Sequence, residues 1–295
     1  MKNPYLITGP ALISFSGGRT SGYMLDQIVR AHGGTLPDDV IVAFANTGKE
    51  REETLRYVHE CSVRFGVKIH WLEWRAGGGV YEEVGYNSAS RSGEPFKALI
   101  ASKQRLPNWQ ERWCTTYLKL LPLFALAKTL GWAPGNYGEV IGLRYDEGHR
   151  IIKGMANAEK AGRTCLYPLS RARVRKPDVM RHWLGDNTDP KSLTHPLPQG
   201  FDLGLRDYEG NCDFCFLKGV GIRKRIAREQ PTAPLWWHEQ EVEQDGFFSS
   251  RDRVIDLINE VRRSPDLFDV SLDEEYDVEC GLHCGPEDEP TTTEN

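Results

Sequence analysis

Ser14-Phe15-Ser16-Gly17-Gly18-Arg19-Thr20-Ser21-Gly22 sets paired glycines among hydroxyl side chains and one arginine. Glycines let backbone N–H groups approach phosphate oxygens, and a helix opening at such a loop adds a favourable dipole. Ser14 leads into the loop, Ser16, Thr20 and Ser21 supply hydroxyl donors, and Arg19 supplies charge. The run lacks the Gly-Lys-Ser/Thr end of a Walker loop and is not a GxGxxG. A plain glycine turn with a Ser/Thr helix cap fits the same letters. Its place directly behind the apolar run Ala11–Phe15 favours the phosphate site.

Cys212-Asp-Phe-Cys215, bracketed by Gly210 and Gly219, has the spacing for two thiolates on one metal or cluster. Cys280 and Cys284 form a second pair one residue wider. The chain has 7 cysteines, an odd number, and its N-terminus carries no long apolar export signal. A disulfide framework is therefore not expected, whereas metal binding or thiol chemistry is. Cys61 reads as core. Arg144 and Arg150 follow the apolar run Glu139–Leu143, where guanidinium groups can clamp phosphate or sulfate in bidentate fashion. Lys119, at the start of an expected helix, adds a point charge. A surface ion-pair set with Asp146 and Glu147 is the competing account of these cations. For Arg171, Arg173, Arg175 and Lys176 a solvated basic face comes first, with a phosphate or nucleic-acid contact second.

The elements that must position these groups alternate. Apolar runs at Ala11–Phe15, Val40–Ala45, Val67–Trp74 and Glu139–Leu143 read as strands. Between them, Tyr23–Val29, Glu50–Phe65 (with Leu55, Val58 and Val63 near one face) and Thr116–Leu130 show helical spacing. Such alternation predicts an α/β fold, a doubly wound and mostly parallel sheet with helices on both faces. Beyond residue 170 a helical, cysteine-containing C-terminal region is expected. It includes a short helix at Pro177–Leu184, a loop over Asp186–Asp207, and helices at Val220–Arg228 and Arg251–Arg263. The domains expected are therefore a nucleotide-binding unit over 1–170, a helical region with the CxxC over 171–275, and a mobile acidic tail over 276–295. Trp71, Trp74, Trp109, Trp236 and Trp237 read as core before base-stacking platforms.

Composition narrows the classes. The 295 residues include 37 Lys+Arg, 42 Asp+Glu, 39% hydrophobic residues, 29 Gly and 17 Pro, an ordinary globular balance. Collagen-like, low-complexity and wholly disordered chains are excluded. No apolar run approaches the roughly 18–20 residues that span a bilayer, so no membrane role and a cytoplasmic location are expected. From Ser264 to Asn295 there are 11 acidic residues and no Lys or Arg, which leaves a mildly basic body suited to an anionic ligand.

Ser16-Gly17-Gly18-Arg19-Thr20-Ser21 resembles the SGGxxS loop of the PP-loop ATP pyrophosphatase superfamily, whose fold is adenine nucleotide alpha hydrolase-like. Further segments resemble its phosphoadenosine phosphosulfate (PAPS) reductase branch. They are Asn46-Thr47-Gly48 with Glu53-Thr54, Trp113-Cys114-Thr115 with Lys119 and Pro122-Leu123, and Gly142-Leu143-Arg144-Tyr145-Asp146-Glu147 with Arg150. Pro168-Leu169 with Asp178-Val179 and Glu279-Cys280-Gly281-Leu282-His283 complete the series, in the family's order.

The resemblance implies an adenine nucleotide (PAPS, its 3′-unphosphorylated analogue APS, or ATP with Mg²⁺) held by the loop together with Thr47 and Gly48. It also implies a [4Fe–4S] cluster, with zinc as the alternative, at Cys114, Cys212 and Cys215. The family's first site usually carries two adjacent cysteines, whereas Thr115 follows Cys114 here. A fourth ligand must then come from Cys165, Cys280 or Cys284. Cys284 is preferred because Cys165 sits in an expected buried strand. In the reductases Cys280 would attack the sulfur of the sulfonucleotide, aided by His283. The resulting S-sulfonate would be reduced to sulfite by a thioredoxin-like thiol donor. Cys280 and Cys284 equally suit metal ligands. The intact loop also fits a sibling activity, ATP-dependent adenylation with sulfur transfer to a nucleic acid. A nucleotide-binding regulatory module without turnover is the third class.

Overall fold

The computed structural model describes residues 3–263 apart from 78, 186, 190 and 211. Four apolar runs of the first half become parallel strands because each must bury both of its faces. β1 is Ala11–Ser14, followed by helix α1 (Arg19–Ala31), β2 (Val40–Asn46), α2 (Glu52–Phe65) and β3 (Ile69–Trp74). β4 (Tyr81–Val84) returns antiparallel to β3 at the sheet edge. Helix α3 (Glu94–Lys103), the short α4 (Trp113–Thr115), a π-helical turn (Thr116–Leu120) and α5 (Leu121–Thr129) lead to β5 (Gly138–Val140). A 3₁₀ turn (Tyr145–Glu147) and α6 (Gly148–Lys160) precede β6 (Thr164–Leu166), α7 (Pro168–Arg171) and α8 (Lys176–Leu184). After a second 3₁₀ turn (Asp207–Glu209) come α9 (Val220–Glu229), α10 (Ala233–Glu243) and α11 (Val254–Arg263).

The sheet runs β4-β3-β2-β1-β5-β6 and is parallel except for β4. From β1 the chain moves outward through β2 and β3, then jumps back to β5 on the other side of β1. The order therefore reverses at β1, and ligands of open α/β sheets bind outside the C-terminal strand ends at such a point. This is an α/β fold with a mostly parallel sheet, as the alternation predicts.

Alternate residues of each strand feed opposite faces. Ile13, Val42, Phe44, Ile69 and Trp71 pack with α1, α2 and Trp183 of α8 in one cluster. Leu12, Ala43 and Leu72 pack with Leu123, Leu126 and Ala127 of α5 in another. A third cluster joins Phe96 and Leu99 of α3 to Trp113, Phe214, Phe216, Trp237, Phe248 and Leu257, and it encloses Cys212 and Cys215.

Several expectations need correction. Val63 is 64% exposed and lies off the apolar face that Leu55 and Val58 form. Cys165 stands on the edge strand β6 and is only partly buried. The strand expected at Glu139–Leu143 ends at Val140, and Gly142 packs against Met24. Among the described residues no helix is long and apolar enough to cross a membrane.

Candidate active site

The phosphate loop lies between the end of β1 and the first turn of α1. Gly17 has φ +76°, and a Cβ there would stand 2.7 Å from the Thr54 Cγ2 methyl. Only glycine fits that turn. Gly18 serves as the N-cap of α1 and makes no side-chain cap, and its Cβ position meets nothing closer than Ser16 Oγ at 3.8 Å. The first turn of α1 carries no acidic residue. No carboxylate of that turn competes for its N–H groups, and the helix dipole there favours an anion. Ser21 Oγ bonds the Gly18 carbonyl at 2.9 Å and lies 3.1 Å from Ser16 Oγ, which fixes the loop's hydroxyl edge. A Cβ on Gly22 would stand 2.0 Å from the Tyr57 hydroxyl, so this glycine lets α1 close onto α2.

Two of the expected loop cations take different roles. Arg19 turns away from the loop cavity. Its guanidinium bonds both oxygens of Asp202 at 3.1 and 2.9 Å and the Leu205 carbonyl at 2.8 Å. It thereby fastens the 202–205 segment, and Trp183 Nε1 donates to the Arg19 carbonyl. Arg144 is only 4% exposed. Its Nη1 donates to Thr20 Oγ1 at 2.9 Å, while Asp146 and Glu147 hold the rest of its fork. The ion-pair set anticipated for the surface is thus present, with Arg144 and Glu147 buried and only Asp146 exposed, and it delivers a cation to the phosphate loop. Arg150 pairs with Glu147 and braces that assembly.

A second group forms where β2 ends, one strand over. Thr47 donates through both its N–H and its hydroxyl to Glu50 Oε2, at 2.9 and 2.8 Å. The same hydroxyl lies 3.6 Å from Cys212 Sγ. The N–H of Gly48 (φ +77°) donates to Asn46 Oδ1 at 3.1 Å. Lys119 lies in the π-helical turn rather than at a helix start, and its Nζ is 3.8 Å from Glu50 Oε1. Such π turns are frequent at functional sites. Thr47, Gly48 and Lys119 thus sit beside the CxxC rather than on the phosphate loop.

The CxxC docks by backbone. Glu50 and Cys212 form an isolated antiparallel bridge, and the Asp213 N–H donates to the Lys49 carbonyl at 2.8 Å. Asp213, between the cysteines, pairs with Lys49 at 2.9 Å and accepts from Trp237 Nε1 at 2.8 Å. Cys212 and Cys215 are both buried, and Cys114 packs against the same cluster. Lys218 is buried behind them and donates to the carbonyls of Tyr208 and Gly210. Burial pushes its ammonium down to about 8, against the pull of Cys215 and Cys212. Cationic neighbours of this kind favour thiolate over thiol.

Two buried thiols at CxxC spacing suit a soft metal or a cluster. Among the described residues, however, no group of three or more His, Cys, Asp or Glu side chains gathers as a metal-ligand set. Cys280, His283 and Cys284 lie outside the described residues.

Buried Glu73 was not expected as a site residue. It accepts from Asn46 Nδ2 (2.7 Å), from the N–H and hydroxyl of Ser90 (2.6 and 2.7 Å) and from Arg75 (2.9 Å). It thereby holds the turn after β2. Its one sequence signal is a carboxylate inside the apolar run Ile69–Trp74.

No family model matches the chain. It is 29% identical to an uncharacterised nin region protein of Escherichia phage lambda over 220 residues, 71% of this chain and 66% of that protein. It is 32% identical to an uncharacterised protein of Methanocaldococcus jannaschii over 124 residues, 42% of this chain and 21% of that one. The chain therefore spans less than two thirds of each curated relative. Among solved structures, an NMN synthetase from Francisella tularensis is similar at 12% identity, with a TM-score of 0.33 and 89% of each chain covered.

Proposed function

We propose that this protein is an enzyme of the PP-loop superfamily that holds an adenine nucleotide by its phosphates at Ser14–Ser21 and performs sulfur chemistry beside it. The observation that carries this reading is the docking of the CxxC. The Glu50–Cys212 bridge seats two buried thiols on the turn after β2, next to the strand that bears the phosphate loop. Nucleotide phosphates would rest on the N–H groups of the loop and the first turn of α1. Ser16 and Ser21 would supply hydroxyls, and Arg144 would act through Thr20.

The activity placed first is sulfonucleotide reduction. The Cys280 thiolate attacks the sulfur of PAPS or APS and breaks the sulfur–oxygen bond, so that adenosine 3′,5′-bisphosphate or AMP leaves. A thioredoxin-like dithiol then displaces sulfite from the cysteine S-sulfonate, restores Cys280 and is itself oxidised to a disulfide. A [4Fe–4S] cluster or zinc held by Cys114, Cys212, Cys215 and Cys284 belongs to the same proposal. Bound there, it would tie these segments together beside the nucleotide and hold the four sulfurs as ligated thiolates.

Anaerobic incubation with PAPS or APS, without reductant, followed by intact mass tests the reading. A sulfite-sized adduct that is absent in Cys280→Ser supports it, and no adduct on fully metallated protein overturns it. One observation favours a second reading, ATP-dependent adenylation with sulfur transfer to a nucleic acid. The loop keeps both glycines and its hydroxyl edge intact, as cleavage of an ATP pyrophosphate requires. Pyrophosphate release from ATP, lost in Gly18→Ala, would move that activity to first place.

A further inference from the structure

A groove of about 1330 Å³ opens at the other end of the sheet, where Pro10, Gly138 and Thr164 stand at the starts of β1, β5 and β6. Ligand sites for single small molecules usually measure roughly 300–1,000 Å³, so this groove is long enough for an extended ligand. It is remote from the phosphate loop. Arg30, on its wall, lies about 16 Å along α1 from Arg19 by helical rise alone.

Arg30, Arg171, Arg173 and Lys191 line the groove, together with half-buried Tyr5 and buried Tyr23. Arg30 pairs with Asp26 at 2.7 Å. Arg171, Arg173 and Lys191 are exposed and, among the described residues, join no ion pair. Two carboxylates share the lining, one paired with a cation and one bonded to a backbone N–H. Asp178 accepts the Arg175 N–H and pairs with Arg181, while Asp189 accepts the Lys191 N–H.

Arg173 carries a second, independent mark. It follows the end of α7 with φ 59°, in the left-handed region where glycine or asparagine is the unstrained choice. An arginine held there against its backbone preference points to a use for its side chain. Cations along an open groove match a phosphodiester chain, and of the two tyrosines only half-buried Tyr5 can meet a base.

We propose that this groove binds single-stranded nucleic acid by its phosphate backbone, independently of the nucleotide at the phosphate loop. Fluorescence anisotropy with a labelled single-stranded 12-mer, read across a salt series, tests it on the full chain. Arg171→Ala with Arg173→Gly is expected to weaken binding about ten-fold or more and to lower the salt slope by about 2. Arg173→Gly alone should weaken binding without lowering the melting temperature, because it relieves the backbone while removing a charge. Unchanged affinity in the double variant overturns the proposal. So does loss of strand binding in Gly18→Ala, which would place the strand at the phosphate loop. Full displacement by inorganic phosphate at the oligonucleotide's own concentration would mark a small-anion site and equally overturn it.

Discussion

Gly17 and Gly18 stand side by side, yet a methyl group added to each should do opposite things. At Gly17 the new Cβ meets Thr54 Cγ2 at 2.7 Å, Val58 Cγ2 at 3.2 Å and Phe44 Cε2 at 3.3 Å, with φ at +76°. The left-handed conformation costs an L-residue roughly 1–2 kcal/mol, and overpacking against a helix and a strand costs roughly 1–3. Gly17→Ala should therefore destabilise by about 2–5 kcal/mol, a fall in melting temperature on the order of 3–8 °C. Thr54→Ser removes the nearest methyl and should restore part of the steric loss but none of the conformational one. Gly18 has an ordinary φ of −100° and open space where its Cβ would go. Gly18→Ala should leave the melting curve unchanged while blocking approach of a phosphate to the loop N–H groups. Calorimetric titration with ATP, PAPS or APS should then show at least ten-fold weaker binding. Wild-type nucleotide affinity in a folded Gly18→Ala protein would refute the phosphate-loop reasoning.

Asp213→Ala should strand the buried Lys49 ammonium at a cost of about 3 kcal/mol, and Cys212 and Cys215 should alkylate faster; unchanged alkylation would show that this pair does not seat the CxxC. Glu73→Gln presents an amide N–H to groups that are already donors and should cost about 2–3 kcal/mol in urea unfolding, with weaker nucleotide binding because the turn after β2 loosens. His182 gives a pH signature. Burial, reinforced by Arg30, holds its imidazole neutral down to about 3 from an ordinary 6.5, even with Asp26 at 3.6 Å. The unfolded chain then binds more protons between those values, so this residue's contribution is complete above pH 6.5 and drains away as pH falls toward 3. Asp26, whose carboxyl burial shifts upward, partly opposes it. His182→Gln should flatten the stability profile between pH 6.5 and 4, and an unaltered slope would exclude this imidazole as its source.

The parallel strands are legible in the sequence because strands covered on both faces leave continuous apolar runs, as Val40–Ala45 does. β4 is not. Tyr-Glu-Glu-Val is an edge strand with two exposed carboxylates and no apolar run to mark it. Helices α3 and α10 also escape notice, since their apolar residues face a cluster assembled from distant segments and show little periodicity. The phosphate loop is readable because every residue of it is local. What Lys119, Arg19 and Arg144 do is not, because each is decided by a partner far along the chain: Glu50, Asp202 and Thr20 respectively. Letters report that a cation is present, and tertiary pairing decides where it points.

The bridge between Glu50 and Cys212 has a consequence in time. The phosphate loop and its supporting strands β1 to β3 leave the ribosome early, while the cysteine segment emerges some 140 residues after β3 and α9 to α11 later still. Domains consolidate from the N-terminus as they are synthesised. Until those last helices pack, the two thiols that end up enclosed in the third cluster are open to oxidants and to stray metal ions. A nascent chain could thus form its glycine loop and the strands around it before the cysteines are enclosed. Yield of active protein should accordingly depend on a reducing medium during synthesis or refolding far more than it does once the helices have closed.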